Sequence, residues 1–302
     1  MITVLGAGAI GGLLAALLQR TGNGVTVLAR PSTARLIEDR GLTVHSVAFG
    51  DFTVHPRAAT ELDSHSDILI VATKSSGLEA AIARVRSSPA LVLALLNGIE
   101  HMPILRARFG ACVIAGTITV ESHRPAPGVI VHCNSMLRIH ITSPLPAQRA
   151  AVRSLAESLE AAGIDTAVSG SEPEVLWSKL VRLNALACTT SASGLLLGAI
   201  RDDPTWRVRL TRAVVETAAV ARAEGAAVDP SLALDDLARF DPSHGSSMAR
   251  DIAAGRESEL DAIAGAVLRA ARRHGIGVPM IEMLAAKAAE RAGVAPSRRA
   301  DE

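Results

Sequence analysis

Ile2-Thr3-Val4-Leu5-Gly6-Ala7-Gly8-Ala9-Ile10-Gly11 is a short apolar run that breaks into glycines spaced Gly-x-Gly-x-x-Gly, followed by an Ala- and Leu-rich stretch. Four residues apolar on both faces read as a strand buried in a parallel sheet, and the stretch behind the glycines reads as a helix. In such a strand–turn–helix Gly6 permits the tight turn and Gly8 lets backbone approach a pyrophosphate. Gly11 lets the helix pack closely on the strand, and Ala7, Ala9 and Ile10 complete the cradle. The helix start offers free N–H groups and the positive end of its dipole to phosphates. This order of elements predicts a dinucleotide-binding domain.

Working outward, Val25–Ala29, Ile68–Ala72 and Leu91–Leu95 repeat the buried-strand pattern and alternate with helical stretches, which predicts a doubly wound α/β sheet of Rossmann type. The second strand ends in Ala29-Arg30-Pro31-Ser32. A carboxylate there would hold a ribose 2′-hydroxyl, whereas a guanidinium binds a 2′-phosphate through two charge-assisted bonds; Arg30 therefore points to NADP(H). Lys74 and Asn97 each stand just past the C-terminal end of a predicted strand, the edge along which open α/β sheets bind ligands. Asn97-Gly98 is also a strong turn dipeptide, and both readings stay open. Between residues 113 and 142 the pattern predicts three short strands, Val113–Val120, Val129–His132 and Leu137–Thr142, separated by Pro and Gly turns. A helix over Ala147–Ala162 and a last strand near Ile164–Val168 follow.

After Ser169 only helical patterns remain: Glu174–Ala192, Pro204–Glu224, Ser231–Phe240, Ser258–His274 and Pro279–Arg291, punctuated by Asp-Pro starts and by stops at Gly225 and Gly275. Residues 1–169 thus read as an NADP-binding domain and 170–302 as an all-helical domain, with Pro296–Glu302 frayed. The 302 residues are 49% hydrophobic and 20% charged, which excludes a disordered chain. With 31 basic and 30 acidic residues, four Phe, two Trp and no Tyr, neither a nucleic-acid surface nor base stacking is expected. Three cysteines at no zinc-like spacing predict a reduced, cytoplasmic chain without a metal site. Leu183–Ile200 is uncharged but rich in Thr, Ser and Gly, so a buried helix and its turn are expected rather than a membrane span.

The second domain carries Trp177-Ser178-Lys179-Leu180, then Ser246-Ser247-Met248, then Glu257-Ser258-Glu259-Leu260-Asp261, and later His274-Gly275-Ile276-Gly277-Val278-Pro279. Together with the glycines, Arg30, Lys74 and Asn97-Gly98, this order resembles the ketopantoate reductase (2-dehydropantoate 2-reductase) family over nearly the whole chain. The resemblance implies hydride transfer from NADPH to the ketone of a 2-oxo acid. It assigns Lys179 as the general acid that stabilises and protonates the nascent alkoxide, and Glu259 as the glutamate that orients it. Ser247 matches the serine that holds substrate oxygens, and Asn97 the asparagine where nicotinamide and substrate meet. Lys74 matches the lysine near the cofactor ribose, and Ser122 a further cofactor contact made mainly by backbone. Glu216 stays outside the expected site, and Cys188 reads as a small core residue.

The departures from the family concern substrate. Family asparagines one and two turns after the lysine are here Leu183 and Ala187, and a third, before Gly198-Ala199-Ile200-Arg201, is Leu197. Asn184 is the remaining substrate-binding candidate, offset by one residue or about 100° around the helix. Ketopantoate is the expected substrate, placing the chain in pantothenate biosynthesis. The rivals are a reductase for a more apolar branched 2-oxo acid and an NADPH-binding redox sensor without turnover. A homodimer is left open.

Overall fold

Strand β1 (Ile2–Leu5) is buried along its whole length, in the parallel part of a large sheet. The elements run α1 (Ala9–Arg20), β2 (Val25–Leu28), α2 (Pro31–Arg40), β3 (Leu42–Ser46), β4 (Phe52–Val54), β5 (Arg57–Ala59), β6 (Ile68–Val71), α3 (Leu78–Ile82) and β7 (Leu91–Ala94). They continue with α4 (His101–Phe109), β8 (Val113–Ala126), β9 (Val129–Thr142), α5 (Arg149–Ala161) and β10 (Asp165–Ser169). The helices that follow are α6 (Glu172–Ser193), α7 (Leu197–Asp202), α8 (Pro204–Ala223), α9 (Pro230–Arg239) and α10 (Ser247–Ala253). A π-helical turn (Asp261–Gly265) then leads into α11 (Ala266–Arg273), before α12 (Pro279–Ala292). This computed structural model describes residues 1–142 and 145–294; the expected fraying at Pro296–Glu302 lies outside them. Two compact units result: Met1–Leu96 with His101–Val175, and Asn97–Glu100 with the chain from Leu176 on.

In the first unit β5, β2, β1, β6, β7 and the start of β8 lie side by side in parallel. Because the chain leaves β2 on one side of β1 and returns as β6 on the other, the C-terminal end of β1 is the switch point at which such sheets bind ligands. Helix α1 is apolar nearly all round and Gly11 through Leu18 are buried, as a helix covered on all sides must be.

The expected three short strands between 113 and 142 are instead one long hairpin of two 14-residue strands, β8 and β9. The pairing shifts between Val120 and Ser122, where Glu121 faces the extra residues Cys133 to Met136 of β9. Polar residues in this bulge read locally as turns, but the antiparallel ladder continues past them. The helix expected over Ser258–His274 begins with the wide π turn rather than a regular one.

The second unit is a helical cluster whose core is almost wholly aliphatic, with Trp177 the one buried aromatic among the described residues. No helix among the described residues is long and apolar enough to cross a membrane. Glu216 of α8, outside the site expected from sequence, has a structural task. Its carboxylate accepts the N–H groups of Met280 and Ile281, both at 3.0 Å, and so caps α12 from a neighbouring helix. Pro279 ahead of them has no N–H to satisfy. Hydrogen bonds to a charged acceptor contribute about 1.5–3 kcal/mol. Glu216→Ala is therefore expected to lower unfolding free energy by about 1–3 kcal/mol in urea titrations.

Candidate active site

The first unit presents the glycine cradle. Gly6 has φ +110°, and a Cβ there would stand 2.8 Å from the Ala72 carbonyl oxygen at the end of β6. A Cβ on Gly11 would stand 1.9 Å from the Gly6 carbonyl oxygen, so α1 reaches β1 only because that Cβ is missing. Gly8, the N-cap of α1, has open space where a Cβ would be. The Thr73 and Ser122 hydroxyl oxygens are buried without a hydrogen-bond partner among the described residues. Open space at a helix N-terminus, with buried hydroxyls lacking partners in the same unit, fits a bound dinucleotide. Ala7, Ala9 and Ile10 are half-buried in the same turn.

Arg30 is exposed and forms the N-cap of α2. Beside it lies a residue the sequence did not single out. The Arg84 guanidinium donates to the Ala29 carbonyl at 2.8 Å, and burial followed by the nearby Arg30 charge holds its pKa below the ordinary arginine value. Two guanidinium groups and a helix N-terminus gathered at the end of β2 form a natural anion site. Lys74 is exposed just after β6, preceding a short 3₁₀ turn.

In the second unit three expected residues meet. The Lys179 ammonium donates to Asn97 Oδ1 at 2.8 Å, and Asn97 Nδ2 donates to Glu259 Oε2 at 2.9 Å. An ammonium has no acceptor and an ionised carboxylate no donor, so the orientation of the Asn97 amide is dictated by its neighbours. The turn reading of Asn97-Gly98 also holds: Gly98 has φ +81°, and its Cα faces the Ala262 carbonyl of the π turn. Burial lowers the Lys179 pKa to about 8; the Glu259 charge raises it in opposition, and Arg182 lowers it further. Of the chain's 31 basic residues only Lys74, Lys179 and Lys287 are lysines. Where arginine serves almost everywhere else, a lysine whose proton is loosely held stands at this amide.

Asn184 is a correction to the expected substrate set. It is fully buried, its amide donating to Thr217 Oγ1 at 2.9 Å and its carbonyl accepting from Cys188 Sγ at 3.3 Å. One residue of offset turns it from the Lys179 face of α6 into the contact with α8. Ser247 is exposed at the first position of α10, while the adjacent Ser246 caps that helix and bonds Thr190 Oγ1 at 2.8 Å. Leu183, one turn after Lys179, is half-buried; Ala187 and Leu197 are fully buried.

Two family models cover this chain: "Ketopantoate reductase PanE/ApbA" over residues 2–143, and its C-terminal counterpart over residues 174–292. The chain belongs to the ketopantoate reductase family. It is 31% identical to 2-dehydropantoate 2-reductase of Halobacterium salinarum, the match covering 94% of this chain and 96% of that one. A PanE/ApbA family ketopantoate reductase of Ralstonia eutropha superposes with TM-score 0.85 at 28% identity, covering 97% of this chain and 98% of that one. D-mandelate dehydrogenase, solved with NADH and anilino(oxo)acetate, shares the fold at TM-score 0.88 and 21% identity, with coverage of 97% and 98%. Members of the ketopantoate reductase family are NADPH-dependent oxidoreductases acting on 2-oxo acids. A family member with this amide bridge should show an anomalous titration at Lys179. ¹⁵N NMR of the three Nζ groups is expected to place Lys179 near 8, against an ordinary value of about 10.4.

Proposed function

We propose that this ketopantoate reductase family member reduces 2-dehydropantoate to pantoate with NADPH, Lys179 being the general acid. The observation that carries the reading is the Lys179–Asn97–Glu259 chain of hydrogen bonds. Bound NADPH supplies the hydride. Gly6, Gly8, Gly11 and the N-terminus of α1 hold its pyrophosphate, Arg30 reads its 2′-phosphate, and Lys74 and Ser122 contribute from the same unit. Lys179 protonates the substrate oxygen as negative charge develops there. Its Nζ donates one hydrogen bond to Asn97, which leaves two donors for substrate. Glu259, acting through the amide, keeps the ammonium charged and aimed, and Ser247 meets the substrate carboxylate. Among the described residues Cys112, Cys133 and Cys188 are not joined in disulfides, which accords with a reducing, cytoplasmic setting.

A second reading concerns the substrate alone. Asn184 and Ser193, which could replace the missing polar contacts, both have protein partners; Ser193 Oγ donates to the Thr189 carbonyl and accepts the Leu195 N–H. Leu183 stands on the Lys179 face where a polar residue would meet the hydroxyl of ketopantoate. This favours a more apolar 2-oxo acid.

The deciding experiment follows NADPH oxidation against ketopantoate and its deoxy analogue 3,3-dimethyl-2-oxobutanoate. An unpartnered hydroxyl costs about 1–3 kcal/mol, or roughly 5- to 150-fold in kcat/KM. A strong preference for ketopantoate supports the first reading, and a ratio near or below one the second. No turnover of any 2-oxo acid would leave a cofactor-binding protein without this chemistry. Lys179→Ala should lower kcat by about 10²- to 10⁴-fold. Reduction needs the charged lysine, so its rate should fall as pH rises through about 8, while the reverse oxidation should gain over the same interval. Arg30→Ala should weaken NADPH binding on the order of tenfold and leave NADH binding little changed; equal losses with both would remove Arg30 from the 2′-phosphate.

A further inference from the structure

Asn97 and Glu259 come from segments 162 residues apart, and something must hold those segments in register. Arg269 of α11 binds both. Its Nε and Nη2 donate in parallel to the two carboxylate oxygens of Glu100, at 2.7 and 2.6 Å. The same guanidinium reaches back to the π turn, donating from Nη1 to Asp261 Oδ1 at 2.7 Å and from Nη2 to the Asp261 carbonyl at 3.1 Å. Asp261, Gly265 and Arg269 follow one another along the helix, and the ion pair lies over the glycine. A Cβ on Gly265 would stand 2.6 Å from Asp261 Oδ1 and 3.0 Å from Arg269 Nη1. The segments also touch backbone to backbone, since a Cβ on Gly98 would stand 2.1 Å from the Ala262 carbonyl oxygen. The Glu259 carbonyl, accepting the Ile263 N–H at 3.0 Å, ties the glutamate to the same turn.

We propose that Arg269 is a positioning residue for the proton donor: by holding Glu100 and Asp261 in one planar fork, it fixes Asn97 against Glu259 and thereby aims the Lys179 ammonium. This rests on the reading in which Lys179 protonates the substrate. Arg269 is only part-buried, so as an ion pair it adds little to stability. Its bidentate geometry adds direction, and a misplacement of about 1 Å at a reacting group costs about 10²-fold in rate. The kinetic loss on removing it should exceed the loss of stability.

Arg269→Met is expected to lower kcat about 10- to 100-fold while KM for NADPH stays within about threefold. Arg269→Lys, which keeps the charge without the fork, should recover only part of the rate. ¹⁵N NMR of Lys179 supplies a readout that a general loss of stability would not give. Deleting the guanidinium charge by itself would raise the Lys179 pKa, whereas separating Glu259 from Asn97 lowers it; a downward movement is expected. A kcat within about threefold of wild type, a full wild-type rate in Arg269→Lys, or a titration that is unchanged or raised would each overturn the proposal. Should Arg269→Met not fold, Glu100→Gln leaves Arg269 on Asp261 and is expected to lower kcat about 3- to 10-fold; an unaltered kcat there overturns the proposal equally. If Lys179→Ala retains normal kcat, the proton-donor reading fails, but the Lys179 titration still reports whether Arg269 positions Asn97 and Glu259.

Discussion

A primary amide placed between an ammonium and a carboxylate has one satisfactory orientation. Asn97 must turn its carbonyl to Lys179 and its NH₂ to Glu259, because the reverse would oppose donor to donor and acceptor to acceptor. Much of the second unit can be understood as support for that amide. Gly98 gives up its side chain so that the loop can approach the π turn, Glu100 anchors the loop to α11, and α6 brings Lys179 into partial burial. A neutral bridge also differs chemically from a direct ion pair. It transmits orientation while leaving the ammonium under-stabilised, which keeps its proton within reach of neutral pH.

The first unit obeys a steric constraint of comparable strictness. Two glycines allow β1, α1 and the end of β6 to meet at distances no side chain tolerates, and the third leaves space at the helix N-terminus. The same missing side chain thus serves opposite ends: close packing at Gly6 and Gly11, and room for a ligand at Gly8.

The parallel strands, the glycine turn and the long helices were legible because each is signalled within a few residues of its own position. What escaped the sequence depends on partners distant along the chain. Asn184 has the sequence position of a displaced ligand, but Thr217 of α8 holds it. Glu216 had no local cue for its cap on α12. Arg84 reads as an ordinary surface arginine until β2 and its carbonyl are beside it. The hairpin of β8 and β9 reads as separate pieces in sequence because bulged, polar strand residues carry turn-like composition. Lys179, Glu259 and Asn97 could be assigned by resemblance, but the amide bridge joins positions 82 and 162 residues apart, and no local pattern encodes such a link.

The four residues Asn97–Glu100 are flanked in the chain by β7 and α4 of the first unit, yet they belong to the second. The helical unit is therefore not an autonomous genetic module. A gene fragment beginning at Leu176 would encode Lys179, Glu259 and Arg269 while omitting the amide that joins the first two and the carboxylate that occupies the third. Chimeras between relatives face the same arithmetic, since a crossover near residue 175 exchanges the helices but inherits the loop from the other parent. Recombination that preserves the proton donor must carry this tetrapeptide along with the helices, so the two halves are constrained to diverge together.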